Sequence, residues 1–280
     1  MLRIVTDNAS DITVEQARSL GIDLIHLETA FEDDACPMNS EADYTAFYEK
    51  LKVCDKLPMT SRPSPLSYLD VFADAKQAGD DVLVITLSSG LSSTIESAFI
   101  AKEMAEYDHI TIIDSQQAVM SQRILTEHAV KLRAEGKSLA EIEAEVLALR
   151  ERVTVVGIIG SMVYLKKGGR VPPALALIGD ALGIKPIITV KDKVIQSIGK
   201  ARGMKAGVAA AYRHIESHGV DEAYPVCFGY TSNRELGEGF MQDTLAKFNI
   251  AEAALYQVGG IIGTHLGTDS VGVAFVSKTK

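Results

Sequence analysis

The sequence predicts an α/β protein of two α/β domains. The N-terminal domain is expected to hold a mostly parallel sheet with flanking helices, and the C-terminal domain a mixed sheet. Short β-branched runs alternate with amphipathic runs along the 280 residues, which is typical of α/β folds. The turn Lys191–Lys193 between two β runs predicts a hairpin, and hence antiparallel pairing in the second half only. A helical stretch ends near Arg152, so we expect domains over 1–155 and 156–280, with a ligand in the interdomain crevice.

The elements follow from this alternation in chain order. Strands are predicted over Leu2–Thr6, Asp23–Leu27, Val82–Leu87, Ile110–Asp114, Val153–Ile159, Lys185–Val190, Val194–Ile198, Pro225–Tyr230, Ala253–Val258 and Val271–Val276. Helices are predicted over 13–20, 42–52, 65–78, 93–106, 117–135, 138–151, 172–182, 203–218 and 233–247.

Composition excludes several classes of protein. No uninterrupted apolar run reaches the ~18 residues that a membrane span needs, so we expect no stable membrane insertion. The three cysteines have no metal-like spacing, and neither a disulfide framework nor a metal site is expected. The N-terminus turns polar after a short β run and lacks the apolar stretch of a signal peptide, which predicts a cytoplasmic protein.

Charge is unevenly distributed. The formal net charge of −9 argues against binding to nucleic acid. Residues 166–213 nevertheless hold ten Lys or Arg and two acidic residues, which indicates either a surface for an acidic partner or a solvated face. No phosphate-binding Walker loop and no dinucleotide fingerprint are present, so the chain is not expected to bind a nucleotide cofactor.

Hydroxyl side chains cluster at the end of the strand predicted over Val82–Leu87. Ser88, Ser89, Gly90, Ser92 and Ser93 lead directly into a helix, where backbone N–H groups and the helix dipole favour an anion. An ordinary helix cap needs one Ser or Thr. The excess of hydroxyls therefore favours an anion site over a cap alone.

Two further segments carry candidate polar groups. Ser64-Pro65 fits a helix start, which leaves Thr60 and Ser61 unexplained. His265, within a glycine-rich segment predicted to lie as a loop between two strands, could donate a hydrogen bond to a carboxylate, although a lone histidine is usually structural.

Together these segments resemble the DegV family of fatty-acid-binding proteins, which serve as the acyl-carrying subunit of bacterial fatty acid kinase. The resemblance spans nearly the whole chain in the family's order. The matching segments are Thr6–Asp11, Thr60–Ser64, Ser88–Ser92, Ile113–Ser115, Tyr164–Arg170, Ile184–Ile187, Gly199–Gly203 and Gly263–Gly267.

The resemblance implies a long-chain fatty acid held between the domains and no catalytic residue, cofactor or metal of the chain's own. It places carboxylate binding on Thr60, Ser92 and His265. The residues supporting the head-group loop would be Ser61, Gly90, Ser93 and Thr264. Arg170 and Arg202 would face the separate kinase subunit, which supplies ATP and metal. The acyl phosphate formed there would feed phospholipid synthesis.

The sequence departs from the family pattern at Asn8, Arg62 and Thr268-Asp269, which bear on ligand preference and partner contacts. A fatty-acid tail would need an apolar tunnel. Its candidate lining residues are Leu91, Ile95, Phe99, Ile158, Ile159, Met162, Leu175, Ile178, Leu182, Ile187, Ile261 and Ile262.

A serine hydrolase is the alternative from the enzyme class. Gly90–Thr94 misses the hydrolase nucleophile motif by one residue, and a strand and a helix flank it. Ser92 would then be the nucleophile and His265 the base, with Asp180 or Asp221 as the acid.

Overall fold

Strands and helices alternate along most of the chain, as predicted. The computed structural model describes residues 1–32, 34–171 and 183–278, so the helix predicted over 172–182 lies outside the described residues. The strands are β1 Leu2–Asp7, β2 Asp23–Ile25, β3 Glu28–Phe31, β4 Asp34–Cys36, β5 Met59–Ser61, β6 Asp81–Thr86, β7 Ile110–Asp114, β8 Val153–Ile158, β9 Ile184–Lys191, β10 Val194–Arg202, β11 Val226–Tyr230, β12 Ala253–Gln257 and β13 Val271–Val276. The helices are α1 Val14–Leu20, α2 Glu41–Val53, α3 Pro65–Ala78, α4 Thr94–Ala105, α5 Val119–Ala134, α6 Leu139–Arg150, α7 Met162–Lys167, α8 Met204–His218, α9 Arg234–Phe248 and α10 Gly260–Leu266.

Two large sheets confirm the predicted fold class. The first has the order β2-β1-β6-β7, and all its strands are parallel. The second has the order β10-β9-β8-β13-β11-β12; its β11–β12 pair is parallel and its other pairs are antiparallel. The predicted hairpin joins β9 to β10, with Val194 paired to Lys191. Both Asp192 and Lys193 adopt positive φ, as a two-residue hairpin turn requires.

The helices form layers around the two sheets. Buried residues of α3 and α4 cover one face of the parallel sheet, while α8 and α9 cover the outer face of the mixed sheet. Between the sheets lie α5 and α6, whose apolar residues share one core with Leu83 of the first sheet and Val155 of the second. All strands of the mixed sheet come from Val153 onward. The domain division near residue 155 stays a prediction.

A third, small sheet corrects the expectation that antiparallel pairing is confined to the second half. Its order is β4-β3-β5, and both pairs are antiparallel. Its strands are only three or four residues long, too short for a recognisable alternation of polar and apolar residues.

The glycine-rich segment before β13 is a helix, α10, and not the predicted loop. Gly263 lies against Tyr48 so closely that a Cβ would overlap the phenol oxygen. Gly260 packs in the same way against Met38 and Phe47. Glycine disfavours helix, but here it allows close packing on an aromatic cluster, and that tertiary gain overrides the propensity. Because of this packing, His265 is fixed in the last turn of a rigid element.

Candidate functional site

A cavity of about 330 Å³ lies against the inner face of the mixed sheet. Its walls come from the loop after β6, the start of α5, the central strands of the mixed sheet and α10. Most of the lining is apolar; representative residues are Leu27, Leu91, Val155, Val190, Val258 and Ile261. This size and composition are those of a binding site for a small apolar ligand.

Most of the sequence-predicted polar residues meet at this cavity. Thr60, Ser61, Ser92, Ser93, Arg170 and His265 all line it. The Thr60 hydroxyl lies 3.3 Å from His265 Nε2, although 205 positions separate the two residues. The Arg170 Nε–H donates to the Leu91 carbonyl at 3.4 Å. The fold therefore brings four distant segments to one polar group, which we call the mouth cluster.

His265 is held as a neutral imidazole in the mouth cluster. Burial, and secondarily the positive charge of Arg170, lower its pKa to about 4. Its Nδ1 is buried without a hydrogen-bond partner and lies against Gly168. A protonated Nδ1 would leave a buried N–H without an acceptor beside the Gly168 methylene, which costs more free energy than leaving Nδ1 unprotonated. The proton of the neutral ring therefore belongs on Nε2. Nε2–H then donates to the Thr60 oxygen, which leaves the Thr60 hydroxyl proton to donate elsewhere.

Residues Ser88–Ser93, which we call the serine loop, do more than cap α4. Ser93 is the N-cap residue but makes no side-chain cap hydrogen bond. The Ser92 and Thr94 hydroxyls lie 2.8 Å apart and share one hydrogen bond. Since a hydroxyl can donate once and accept twice, the loop keeps unused hydrogen-bonding capacity at the cavity wall.

The remaining predicted site residues lie elsewhere. Gly90 faces the hairpin turn, and a Cβ there would overlap the Lys193 carbonyl. Thr264 is buried, and its hydroxyl donates to the Gly260 carbonyl at 2.7 Å. Arg202 is exposed at the end of β10. These three residues are absent from the described cavity lining.

The geometry expected of a serine hydrolase is absent among the described residues. The Ser92 hydroxyl pairs with Thr94, and His265 Nε2 pairs with Thr60. Asp221 forms an ion pair with Arg152, and Asp180 lies outside the described residues. A nucleophile in hydrogen-bond reach of its base, and a base in reach of an acid, are what such chemistry requires.

The apolar lining predicted from sequence is correct in part. Leu91, Ile159, Ile261 and Ile262 line the cavity. Ile158 and Ile187 point to the opposite face of the mixed sheet, into the core under α8 and α9. Met162 packs in a separate buried cluster, Phe99 is 48% exposed, and Ile95 is absent from the lining. Leu175, Ile178 and Leu182 lie outside the described residues.

Sequence reasoning missed the start of α5, which supplies Ala118, Val119 and Met120 to the cavity wall. Val119 has φ 51°, a left-handed conformation that is strained for a β-branched side chain. Arg62, where the sequence departs from the family pattern, also lines the cavity, and its guanidinium pairs with Glu96 at 2.8 Å. A strained backbone at a cavity wall indicates that the surrounding packing holds this turn in place.

The buried carboxyl groups of Asp7 and Asp11 accept hydrogen bonds from the backbone of two segments next to the cavity. The Leu87 N–H donates to Asp7 Oδ2 at 2.7 Å, and the Gly259 N–H donates to Asp11 Oδ1 at 2.8 Å. Burial raises the pKa of Asp7 to about 6 and that of Asp11 to about 8. These two hydrogen bonds connect the segment Thr6–Asp11 to Leu87, directly before the serine loop, and to Gly259, directly before α10.

Within the described residues, no helix is long and apolar enough to cross a membrane. The same part of the chain has no group of three or more His, Cys, Asp or Glu side chains placed to hold a metal ion.

A family model for DegV, described as an uncharacterised protein of the DegV family, matches residues 1–278. The chain belongs to the DegV family. A DegV domain-containing protein of Caldanaerobacter subterraneus subsp. tengcongensis is 30% identical over 278 residues, which cover 99% of each chain. The protein DegV of Bacillus subtilis is 28% identical over 281 residues, again 99% of each chain.

Solved structures of other DegV proteins share the fold. One from Thermus thermophilus, described by its fatty acid binding, has a TM-score of 0.88 and 26% identity, with 99% of both chains covered. DegV of Bacillus subtilis, described as a fatty acid binding protein, has a TM-score of 0.85 and 27% identity over 99% of both chains. A stearic-acid-binding protein from Eubacterium ventriosum matches in fold, with a TM-score of 0.89 and 24% identity.

Proposed function

We propose that this DegV protein binds a long-chain fatty acid, with the tail in the cavity and the carboxylate at the mouth cluster. The observation that carries the proposal is the contact between Thr60 and His265 at the edge of an otherwise mostly apolar cavity. Two structural relatives with more than a quarter of their residues identical are described as fatty acid binding. The proposal requires no catalytic residue, cofactor or metal of the chain's own.

Burial of the tail would provide the affinity. Removing one methylene from water is worth ~0.8 kcal/mol, so a 16-carbon tail could gain on the order of 10 kcal/mol before the entropy costs of binding. An apolar wall with few polar groups suits such a ligand.

The head group would be held by neutral donors. His265 stays uncharged near neutral pH because its pKa is lowered to about 4, and its Nε2–H orients the Thr60 hydroxyl toward the carboxylate. Ser92 supplies a second hydroxyl. Hydrogen bonds of this kind keep a carboxylate ionised but hold it less firmly than a buried arginine pair, which suits an acid that must later react or leave.

We propose further that the protein presents the acid to a separate ATP-dependent fatty acid kinase subunit, so that acyl phosphate forms for phospholipid synthesis. Arg170 and Arg202 are both exposed, which supports a role in contact with an acidic partner. Arg170 also lines the cavity, so its cation would lie near the presented carboxylate. Arg202→Ala should therefore reduce acyl-phosphate formation without changing acid affinity, whereas Arg170→Ala should reduce both.

Native mass spectrometry of the purified protein, followed by extraction of any bound lipid, tests the binding step. We expect a co-purified fatty acid. Thr60→Ala and Ser92→Ala should each weaken palmitate binding by ~1–3 kcal/mol, and Ser19→Ala, on an exposed position of α1, serves as the control. Unchanged palmitate affinity in both site variants would refute the head-group assignment.

A further inference from the structure

Three glycines face one another across the centre of the mixed sheet. Gly157 of β8 pairs with Gly272 of β13, and Gly272 pairs with Gly229 of β11. All three line the cavity. We call them the glycine row. Neighbouring strands lie ~4.8 Å apart, so the row spans about 10 Å across the strands without a Cβ atom.

The glycine row lies on the face that the cavity occupies. Side chains alternate between the two faces of a strand, and Val156 and Phe228, the sequence neighbours of Gly157 and Gly229, pack into the core on the opposite face. Along the same row, Gly157 pairs on its other side with Ile188, which also lines the cavity. The row is thus a groove walled on one side by an isoleucine.

Met120 lies over the far end of this groove. A Cβ at Gly229 would lie 2.5 Å from Met120 Sδ, closer than van der Waals contact allows. A Cβ at Gly272 would lie 3.7 Å from Met120 Cε. Met120 lines the cavity, is 2% exposed, and follows the strained Val119. The backbone strain and the glycines together hold a flexible thioether side chain against the groove.

We infer that the glycine row is the surface against which the distal part of the ligand's tail binds. Met120 closes the end of this groove and sets the acyl chain length that the cavity accepts. The inference rests on the proposed function and names its ligand class as straight-chain acids without a branch near the tail end. A groove made by the absence of Cβ atoms admits an extended polymethylene chain but leaves no room for side branches.

Titration calorimetry with decanoic, myristic, palmitic and stearic acids tests this inference. Gly157→Ala is the gentlest variant, because its Cβ would meet Ile188 Cγ1 at 3.4 Å. We expect palmitate binding to weaken about tenfold, as overpacking of this kind implies, while binding of decanoate, whose tail is six carbons shorter, should change less than about twofold. Gly199→Ala, in β10 with nothing within 4 Å of its Cβ, is the matched control and should change neither.

Met120→Ala enlarges the groove, whereas Gly157→Ala narrows it, and the variant adds no atom to a strand. We expect stearate to gain about tenfold in affinity relative to palmitate, because the end of the groove opens. Equal losses for decanoate and palmitate in Gly157→Ala, or an unchanged length profile in Met120→Ala, would overturn the inference while the proposed function stands. A wild-type protein that binds none of the four acids would overturn both.

Discussion

The two faces of the mixed sheet are built from alternate residues of the same strands and differ in packing at the centre of the sheet. On the outer face, Val156, Ile158 and Phe228 are fully buried beneath α8 and α9. On the inner face, Gly157, Gly229 and Gly272 leave the backbone bare and a cavity remains. Because successive residues of a strand point to opposite faces, neighbouring positions in the chain lie in a closely packed core on one side and in the groove on the other.

The difference shows that the inner face is packed normally over part of its area and lacks side chains only locally, beside the cavity. Toward the end of β13, Ala274 and Val276 also face inward, and they pack against the helices α5 and α6. On the inner face of this sheet, the cavity reaches the central row, where three neighbouring strands carry glycine. Because protein interiors are otherwise close-packed, a mostly apolar cavity of about 330 Å³ is typical of a binding site.

Phe228→Ala on the outer face should produce the largest loss of stability. The ring is fully buried and meets Phe240 edge-on, with centroids 5.7 Å apart. Removing it should lower the free energy of unfolding by ~3–5 kcal/mol, measured by urea denaturation. Fatty-acid affinity of the folded protein should stay nearly constant, since the ring points away from the cavity. A loss below about 1 kcal/mol would contradict the view of this face as a tight core.

Gly90→Ala should disturb the hairpin wall of the cavity. Its Cβ would overlap the Lys193 carbonyl, which also accepts a hydrogen bond from the Ser88 hydroxyl at 2.7 Å. Because backbone must shift, we expect a loss of ~1–3 kcal/mol in unfolding free energy. Gly239→Ala in α9, with open space around its Cβ, is the control and should not destabilise. A neutral Gly90→Ala would mean that the hairpin tip is not held against this loop.

Val156→Ala and Val155→Ala compare the two faces at successive residues. Val156 is fully buried on the outer face, whereas Val155 lines the cavity. Truncating Val156 should cost ~2 kcal/mol of stability, and truncating Val155 about half of that, because the Val155 side chain also borders the cavity and loses fewer packing contacts. Chemical denaturation of both variants without ligand measures the difference. Equal losses would show that the inner face is packed as tightly as the outer one.

Asp11→Asn should flatten the dependence of stability on pH. Burial raises the pKa of Asp11 from 3.8 to about 8. A group whose folded pKa is raised contributes stability at low pH, and that contribution falls as pH rises from 3.8 toward 8, by at most ~1.4 kcal/mol per pH unit. Asparagine cannot titrate but can still accept the Gly259 N–H. Urea midpoints across this range should decline less in the variant than in wild type.

The exposed Asp108→Asn provides the control for that measurement. Its profile should follow that of the wild-type protein. A profile of Asp11→Asn parallel to wild type would mean that the buried carboxyl stays ionised, compensated by Arg123.

Much of the fold could be predicted from the sequence because local pattern and tertiary role agree there. The strands Ile110–Asp114 and Val271–Val276 and the helix over 65–78 have the predicted bounds, since β-branched runs and the Ser64-Pro65 cap act locally. The three short strands and α10 could not be predicted. Strands of three or four residues carry too little periodicity, and a helix that contains two glycines is stabilised by the aromatic residues it packs against.

The chemistry of the candidate site was visible in the sequence, but its geometry was not. Hydroxyl-rich turns and one histidine in a glycine-rich segment indicate which residue types could hold a carboxylate, because hydrogen-bonding capacity is a property of the residue. Only the folded chain could bring Thr60 to His265, and only the register of β8, β13 and β11 could align three isolated glycines into one groove. Strand pairing depends on contacts between residues far apart in the chain, which no local pattern encodes.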